Sequence, residues 1–114
     1  VSDCIFCKIA AKEIPAKIVY EDDCIVAFHD IQPVAPTHVL VIPKEHIPSM
    51  EQATEHHKEL IGHIHLSIRN IAEQLGIHED GYRIVNNCGE QGGQTVYHLH
   101  FHLLGGRQMQ WPPG

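Results

Sequence analysis

Aromatic residues are scarce in this 114-residue sequence, which holds one Trp, three Tyr and three Phe. Its core must therefore come mainly from aliphatic side chains, and the 43% hydrophobic content is enough to supply one. Basic residues are also few, eight Lys and Arg against fourteen Asp and Glu, for a formal charge of −6. With no basic tract, binding to a long nucleic-acid backbone is not expected, although a single nucleotide needs only a local site. No apolar run approaches the roughly 20 residues of a membrane span, so no membrane is expected. Val1-Ser2-Asp3-Cys4 lacks the basic and greasy segments of a secretory signal. Cysteines number four: Cys4, Cys7, Cys24 and Cys88. An even count in a short chain can form a disulfide framework, but the helix and strand patterns suffice for a core. Free thiols in a reducing cytoplasm are the expectation. Cys24, in an apolar strand run, reads as a small buried hydrophobe. Internal repeats and Gly/Ser/Pro linkers are missing too, so residues 1–114 read as one domain. A chain this short buries a modest share of its surface, which a dimer interface or a bound metal would offset.

What is present has a clear order along the chain. Residues 5–11 form a short amphipathic piece closed by Glu13-Ile14-Pro15. Lys17 to Tyr20 and Cys24 to His29 are β-rich runs flanking Glu21-Asp22-Asp23, the signature of a hairpin. A loop with Pro33 and Pro36 leads to a third strand, Thr37 to Ile42, ended by Pro43. Met50, Ala53, His57, Leu60, Ile61, Ile64, Ile68, Ile71, Ala72 and Leu75 recur at three- and four-residue steps, which predicts one long helix. Ser49 with Gln52, or Thr54, can cap its start, and Gly76 suits its end. Tyr82 to Asn86 and Val96 to Leu104 read as two further strands around the polar loop Asn87 to Thr95. The expected class is α+β, an antiparallel sheet of about five strands covered on one face by one long helix, with a short N-terminal helix.

The run His98-Leu99-His100-Phe101-His102 carries the chemistry. Alternate side chains of a strand share a face, so three imidazoles line one side while Tyr97, Leu99, Phe101 and Leu103 face the core. A solvated strand face would mix Thr, Lys, Glu and Ser instead. Alternating imidazoles can chelate a metal or supply a neutral nucleophile for attack on phosphorus. Gly92-Gly93-Gln94-Thr95 feeds into this strand with backbone N–H groups and a hydroxyl that can cradle phosphate oxygens, which tips the balance toward phosphorus. Separately, Cys4-Ile5-Phe6-Cys7 has the spacing of two thiolates on adjacent corners of a zinc tetrahedron.

Gln94-Thr95-Val96-Tyr97-His98-Leu99-His100-Phe101-His102-Leu103-Leu104 resembles the signature of the histidine triad (HIT) superfamily. Phe6-Cys7-Lys8-Ile9, Lys12 to Lys17, Ala27 to Ile31, Ala35-Pro36-Thr37-His38 and the tail from Gly105 to Gly114 are similar to its Hint branch, the histidine triad nucleotide-binding proteins. The resemblance implies a homodimeric hydrolase that cleaves purine nucleoside 5′-phosphoramidates to the monophosphate and an amine. It implies that His100 attacks the α-phosphorus, that His102 supports the phosphate, that His38 orients the cluster, and that Thr95 stands near the leaving group, where Ser is usual. It matches Asp30 and Ile31 to the ribose contacts and Ile5, Phe6, Ile14 and Phe28 to the base slot. Asn87, Gly93, Gln94 and Thr95 match the phosphate-side contacts, although the Cys88-Gly89-Glu90-Gln91 loop departs from the pattern. Some bacterial members resemble the N-terminal segment and hold structural zinc there, which implies Cys4, Cys7, His46 and His98 as ligands. Two rivals remain: a nucleotide-binding regulatory or scaffold protein with little turnover, and a histidine-rich metal-storage module. A dinucleoside polyphosphate hydrolase is disfavoured by the tail and by Thr95.

Overall fold

The computed structural model describes residues 3–114. Five strands make one antiparallel sheet: β1 (Ile18–Glu21), β2 (Ile25–His29), β3 (Thr37–Pro43), β4 (Tyr82–Val85) and β5 (Phe101–Gly105), in the order β1-β2-β3-β5-β4. Helix α1 (Ile5–Ala10) precedes them, and the long helix α2 (Lys58–Gln74) joins β3 to β4. The expected fold class stands.

The alternation within β2 and β3 shows why the sheet is covered on both faces rather than on one. Ile25, Ala27, Val39 and Val41 point to α2, where Ile64, Ile68, Ile71 and Ala72 complete the main core with Leu99, Phe101 and Leu103. The intervening Val26, Phe28, Leu40 and Ile42 point the other way, and Phe6 and Ile9 of α1 pack on them as a second, smaller core. A strand apolar at every position is the sequence mark of such double burial.

Three boundaries differ from the sequence reading. The periodic run starting at Met50 opens with two 3₁₀ turns, Met50–Gln52 and Glu55–His57, and becomes α-helical only at Lys58. Ser49 and Thr54 each accept a backbone N–H two residues on, and Ala53 is extended between them. Such short polar side chains compete with the helix for its own donors. The last strand begins at Phe101 instead of Val96. Its β3 ladder ends at Val41, and Pro43, two residues further, has no N–H to extend it. Leu99 bonds instead to the Ile47 carbonyl (2.6 Å). Pro43 itself belongs to β3, paired with Ile25.

Two side chains also sit where the pattern did not put them. Tyr97 is half exposed (51%) because it lies ahead of the regular strand. Cys24 is exposed, as the residue that leaves the turn before β2 begins. All four cysteines are free thiols. Among the described residues, no helix is long and apolar enough to cross a membrane.

Candidate active site and metal centre

β3 and β5 lie side by side with Leu40 opposite His102 and His38 opposite Leu104. This register brings His38 to His102, while α1 brings Phe6 against the rings of His98 and His100 at centroid distances of 5.9 and 5.2 Å. All three triad histidines are removed from solvent to different degrees, His98 fully, His100 nearly so and His102 in part.

Backbone groups decide which nitrogen of each ring carries the proton. His100 Nδ1 lies 2.7 Å from the His98 carbonyl, an acceptor only, so Nδ1–H donates and Nε2 keeps its lone pair. His38 accepts the Val34 N–H on Nδ1 (3.1 Å), so its proton sits on Nε2. That Nε2–H donates to His102 Nδ1 at 2.9 Å, with the Asp30 carboxylate 3.4 Å away. The proton of His102 is thereby placed on Nε2, the one buried side-chain polar atom among the described residues without a partner. A buried donor left unpaired costs about 1–3 kcal/mol, and a ligand acceptor would recover it.

Burial pushes the imidazoles of His38 and His102 below their ordinary range, with Asp30 opposing in both. For His102 the neighbouring His100 and His38 add to burial and carry it down to about 4. Both rings are neutral near pH 7, as the tautomer assignments require.

A cleft of about 1090 Å³ opens in front of these nitrogens. Phe6, Ile9, Ile14, Phe28 and Leu40 supply its apolar lining, and Asp30, Ile31, Thr95, His100 and His102 line it as well. The structure thus gathers Ile5, Phe6, Ile14, Phe28, Asp30, Ile31, Thr95, His100 and His102 around one space, with His38 behind His102. Asn87, Gly93 and Gln94 are not among the lining residues. The Gln94 side chain is turned inward, donating to the Pro48 and Val96 carbonyls and accepting from Gly89 N–H. The N–H groups of Gly93 and Gln94 close the loop onto the Glu90 and Gly89 carbonyls. These groups hold the loop's shape; Thr95 is its residue that reaches the cleft.

One positioning residue escapes sequence reasoning altogether. Asn86 Nδ2 donates to the His100 carbonyl at 2.9 Å, just beyond the point where β4 stops. A side-chain amide there continues the ladder that the backbone has abandoned. Nothing in the dipeptide Asn86-Asn87 marks which of the two does this.

Two clusters of metal-ligating side chains form among the described residues: Cys4 with Cys7, His46 and His98, and Asp30 with His38 and His102. In the first, His98 Nε2–H donates to the Pro43 carbonyl (2.8 Å), which frees Nδ1 to face Cys4 Sγ at 3.3 Å, Cys7 Sγ at 3.6 Å and His46 Nδ1 at 3.2 Å. Cys7 Sγ and His46 Nδ1 are 3.3 Å apart. A tetrahedral zinc ion, with bonds of about 2.0–2.3 Å, spaces its ligand atoms about 3.3–3.8 Å apart, so this donor set fits. The carbonyl behind His98 is the outer support that ligating histidines use. The second cluster does not fit. His38 accepts on Nδ1, so ligation through Nε2 would demand an imidazolate, and the cluster is better suited to relaying a proton's position.

Comparison with known proteins identifies the family. The HIT domain description matches residues 11–109. An uncharacterised HIT-like protein of Synechococcus elongatus is 58% identical over 112 residues, 98% of this chain and 97% of its own length. A 14 kDa zinc-binding protein of Zea mays is 52% identical over 115 residues, 99% of this chain and 89% of its own. The crystal structure of a HIT family hydrolase from Legionella pneumophila superposes with a TM-score of 0.97 at 53% identity, covering 98% of this chain and 100% of that one. Its sheet, its alternating histidines and these end-to-end matches together make the chain a member of the HIT family.

Proposed function

We propose that this protein hydrolyses purine nucleoside 5′-phosphoramidates through a nucleotidyl-imidazole on His100. One observation carries the reading: among the residues lining the cleft, His100 has a bare Nε2 and His102 an unpartnered Nε2–H, on rings 5.1 Å apart. A lone pair next to a fixed donor suits attack on phosphorus with a hydrogen bond to a phosphoryl oxygen. His100 Nε2 bonds to the α-phosphorus as the P–N bond breaks, and the amine leaves with the electron pair. It takes a proton from solvent water, on the side where Thr95 lines the cleft, and the water consumed in the second step returns that proton. Water then adds to phosphorus, the P–Nε2 bond breaks, and the nucleoside monophosphate departs. Asp30 and Ile31 take the ribose, and Phe6, Ile14 and Phe28 take the base.

Cys4, Cys7, His46 and His98 would hold a structural zinc ion with four protein ligands and no open position. When bound, it ties the N-terminal segment to His98 and contributes nothing else to the reaction. The similarity to the zinc-binding protein of maize supports this assignment. The reading includes a homodimer and a cytoplasmic setting.

The test is a fluorogenic adenosine phosphoramidate assay run beside a diadenosine polyphosphate. His100→Asn should abolish phosphoramidate turnover and leave nucleotide affinity within about tenfold, or about 1.4 kcal/mol. Turnover within tenfold of wild type would remove His100 from the role of nucleophile. Tight nucleotide binding with no turnover of either substrate would favour a nucleotide-binding regulator.

A further inference from the structure

We propose that the Cys4–Cys7 pair is an oxidation site, and that its closure to a disulfide by a peroxide weakens nucleotide binding in the cleft. The proposal rests on the zinc reading above and extends it.

The first ground is that His98 belongs to both sites. Its Nδ1 faces the two thiols, its Nε2–H is fastened to the Pro43 carbonyl, and its own carbonyl receives the His100 Nδ1–H. Whatever holds the His98 ring also holds the group that sets the His100 tautomer.

The second ground is helix α1. It starts directly after Cys4, carries Cys7 within it, and supplies Ile5, Phe6 and Ile9 to the cleft. Phe6 packs edge-on against Phe28, His98 and His100. The segment bearing the thiols is therefore a wall of the cleft.

The third ground is access and reach. Cys4 and Cys7 are partly exposed, so a small peroxide can meet them. The Cys7 N–H already donates to Cys4 Sγ at 3.3 Å, and both sulfurs lie within the 4.8 Å span of the cluster.

One thiolate sulfur attacks a peroxide oxygen, the O–O bond breaks, a sulfenic acid forms, and the departing hydroxide takes a proton to become water. The second thiolate attacks the sulfenic sulfur, the S–S bond forms, and the displaced hydroxide takes a proton to become water. The sulfurs lose two electrons and the peroxide gains two. Thiolates are the metal ligands, so the disulfide leaves zinc only His46 and His98, and the ion is released. Nδ1 of His46 and Nδ1 of His98, 3.2 Å apart, then lose the cation that tied both rings to the thiol-bearing segment.

The experiment uses the zinc-loaded full chain carrying Cys24→Ser and Cys88→Ser, so that only the pair contributes thiols. Stoichiometric hydrogen peroxide is added, and four readouts follow: zinc release to a chromophoric chelator, free thiols, the Kd for adenosine monophosphate, and hydrogen exchange of α1 amides. Two thiols and one zinc should be lost together, with a Cys4–Cys7 disulfide seen by mass spectrometry. The nucleotide Kd should weaken about three- to tenfold, α1 exchange should speed up, and a phosphine reductant with zinc should restore all four. Oxidation that leaves the nucleotide Kd unchanged overturns the proposal, as does retention of zinc and thiols under peroxide. Failure of the metal-supplemented, reduced protein to hold zinc overturns the zinc reading itself. Failure of the reduced protein to bind nucleotide counts against the function alone, and α1 exchange then decides the switch.

Discussion

At the scale of single residues, the site is governed by which ring nitrogen each backbone group claims. Asn86 is the least visible contributor, since its amide holds the His100 carbonyl at the frayed end of the β4–β5 ladder. Asn86→Leu should lower kcat about five- to tenfold, the worth of one hydrogen bond at about 1–1.4 kcal/mol, with KM and nucleotide affinity nearly unchanged. An unchanged kcat would show that the ladder alone positions His100. Protonation gives a second expectation. Burial depresses His102 to about 4 and lowers His38 as well, whereas an unfolded imidazole titrates near 6.5. Between those values the unfolded chain binds more protons than the folded one, so stability rises with pH. It is fully present above about pH 6.5 and is lost as pH falls toward 4. Asp22 does not titrate in that window. Burial raises its carboxyl, but the Cys24 N–H, His63, Tyr20 and the Ile25 N–H together hold it below the usual carboxylate range. Thermal melts from pH 7.5 to 5 should show a falling Tm, and His102→Asn should flatten the slope; an equal slope in that variant would assign the effect elsewhere.

Among the elements, α2 shows how packing outweighs propensity. Its buried stripe of Ile64, Ile68, Ile71 and Ala72 is mostly β-branched, and burial against the sheet repays the lost rotamer freedom. Gly62 sits in the exposed first half with ordinary helical φ, and a Cβ there would meet nothing within 4 Å. Gly62→Ala should therefore stabilise the protein by about 0.5–1 kcal/mol, or about 2–5 °C in Tm. A lower Tm would mean that the face around Gly62 is covered in the native protein. The loop before Thr95 obeys the opposite rule. A side chain at Gly92 would strike the Cys88 backbone, and Gly93 has φ +82, so the Gly-Gly pair is required by the pinch of this turn. Helix α1 ends with Lys12 at φ +66, where Lys12 and Glu13 donate back to the Ile9 and Lys8 carbonyls.

For the whole molecule, the surface left open is as informative as the core. Trp111 is 81% exposed and Leu66 65%, and β4 is an edge strand with one side unpaired. Arg83 on that edge holds the tail, donating to the Gln110 carbonyl at 3.0 Å with its guanidinium 6.0 Å from the Trp111 ring. Open edges and exposed aromatics are surfaces that proteins cover. A homodimer is accordingly expected, and light scattering at micromolar concentration should give twice the chain mass; a monomer at all concentrations would refute it. Much of this architecture could be read from residue order. Local periodicity carried the five strands and the main helix, because side-chain repeats of two and three to four residues leave distinct marks. The alternation of His98, His100 and His102 marked the site, and the Cys4-x-x-Cys7 spacing marked half of the metal cluster. His46 and His98, the other half, came from the family resemblance and from no local pattern, because they meet those thiols by contact across as many as 94 residues of chain. The tautomers, the inward turn of Gln94 and the grip of Asn86 on His100 were likewise decided only by tertiary structure. Each depends on which carbonyl or N–H a folded neighbour presents, and hydrogen-bond partners are a property of positions in space and not of order along the chain.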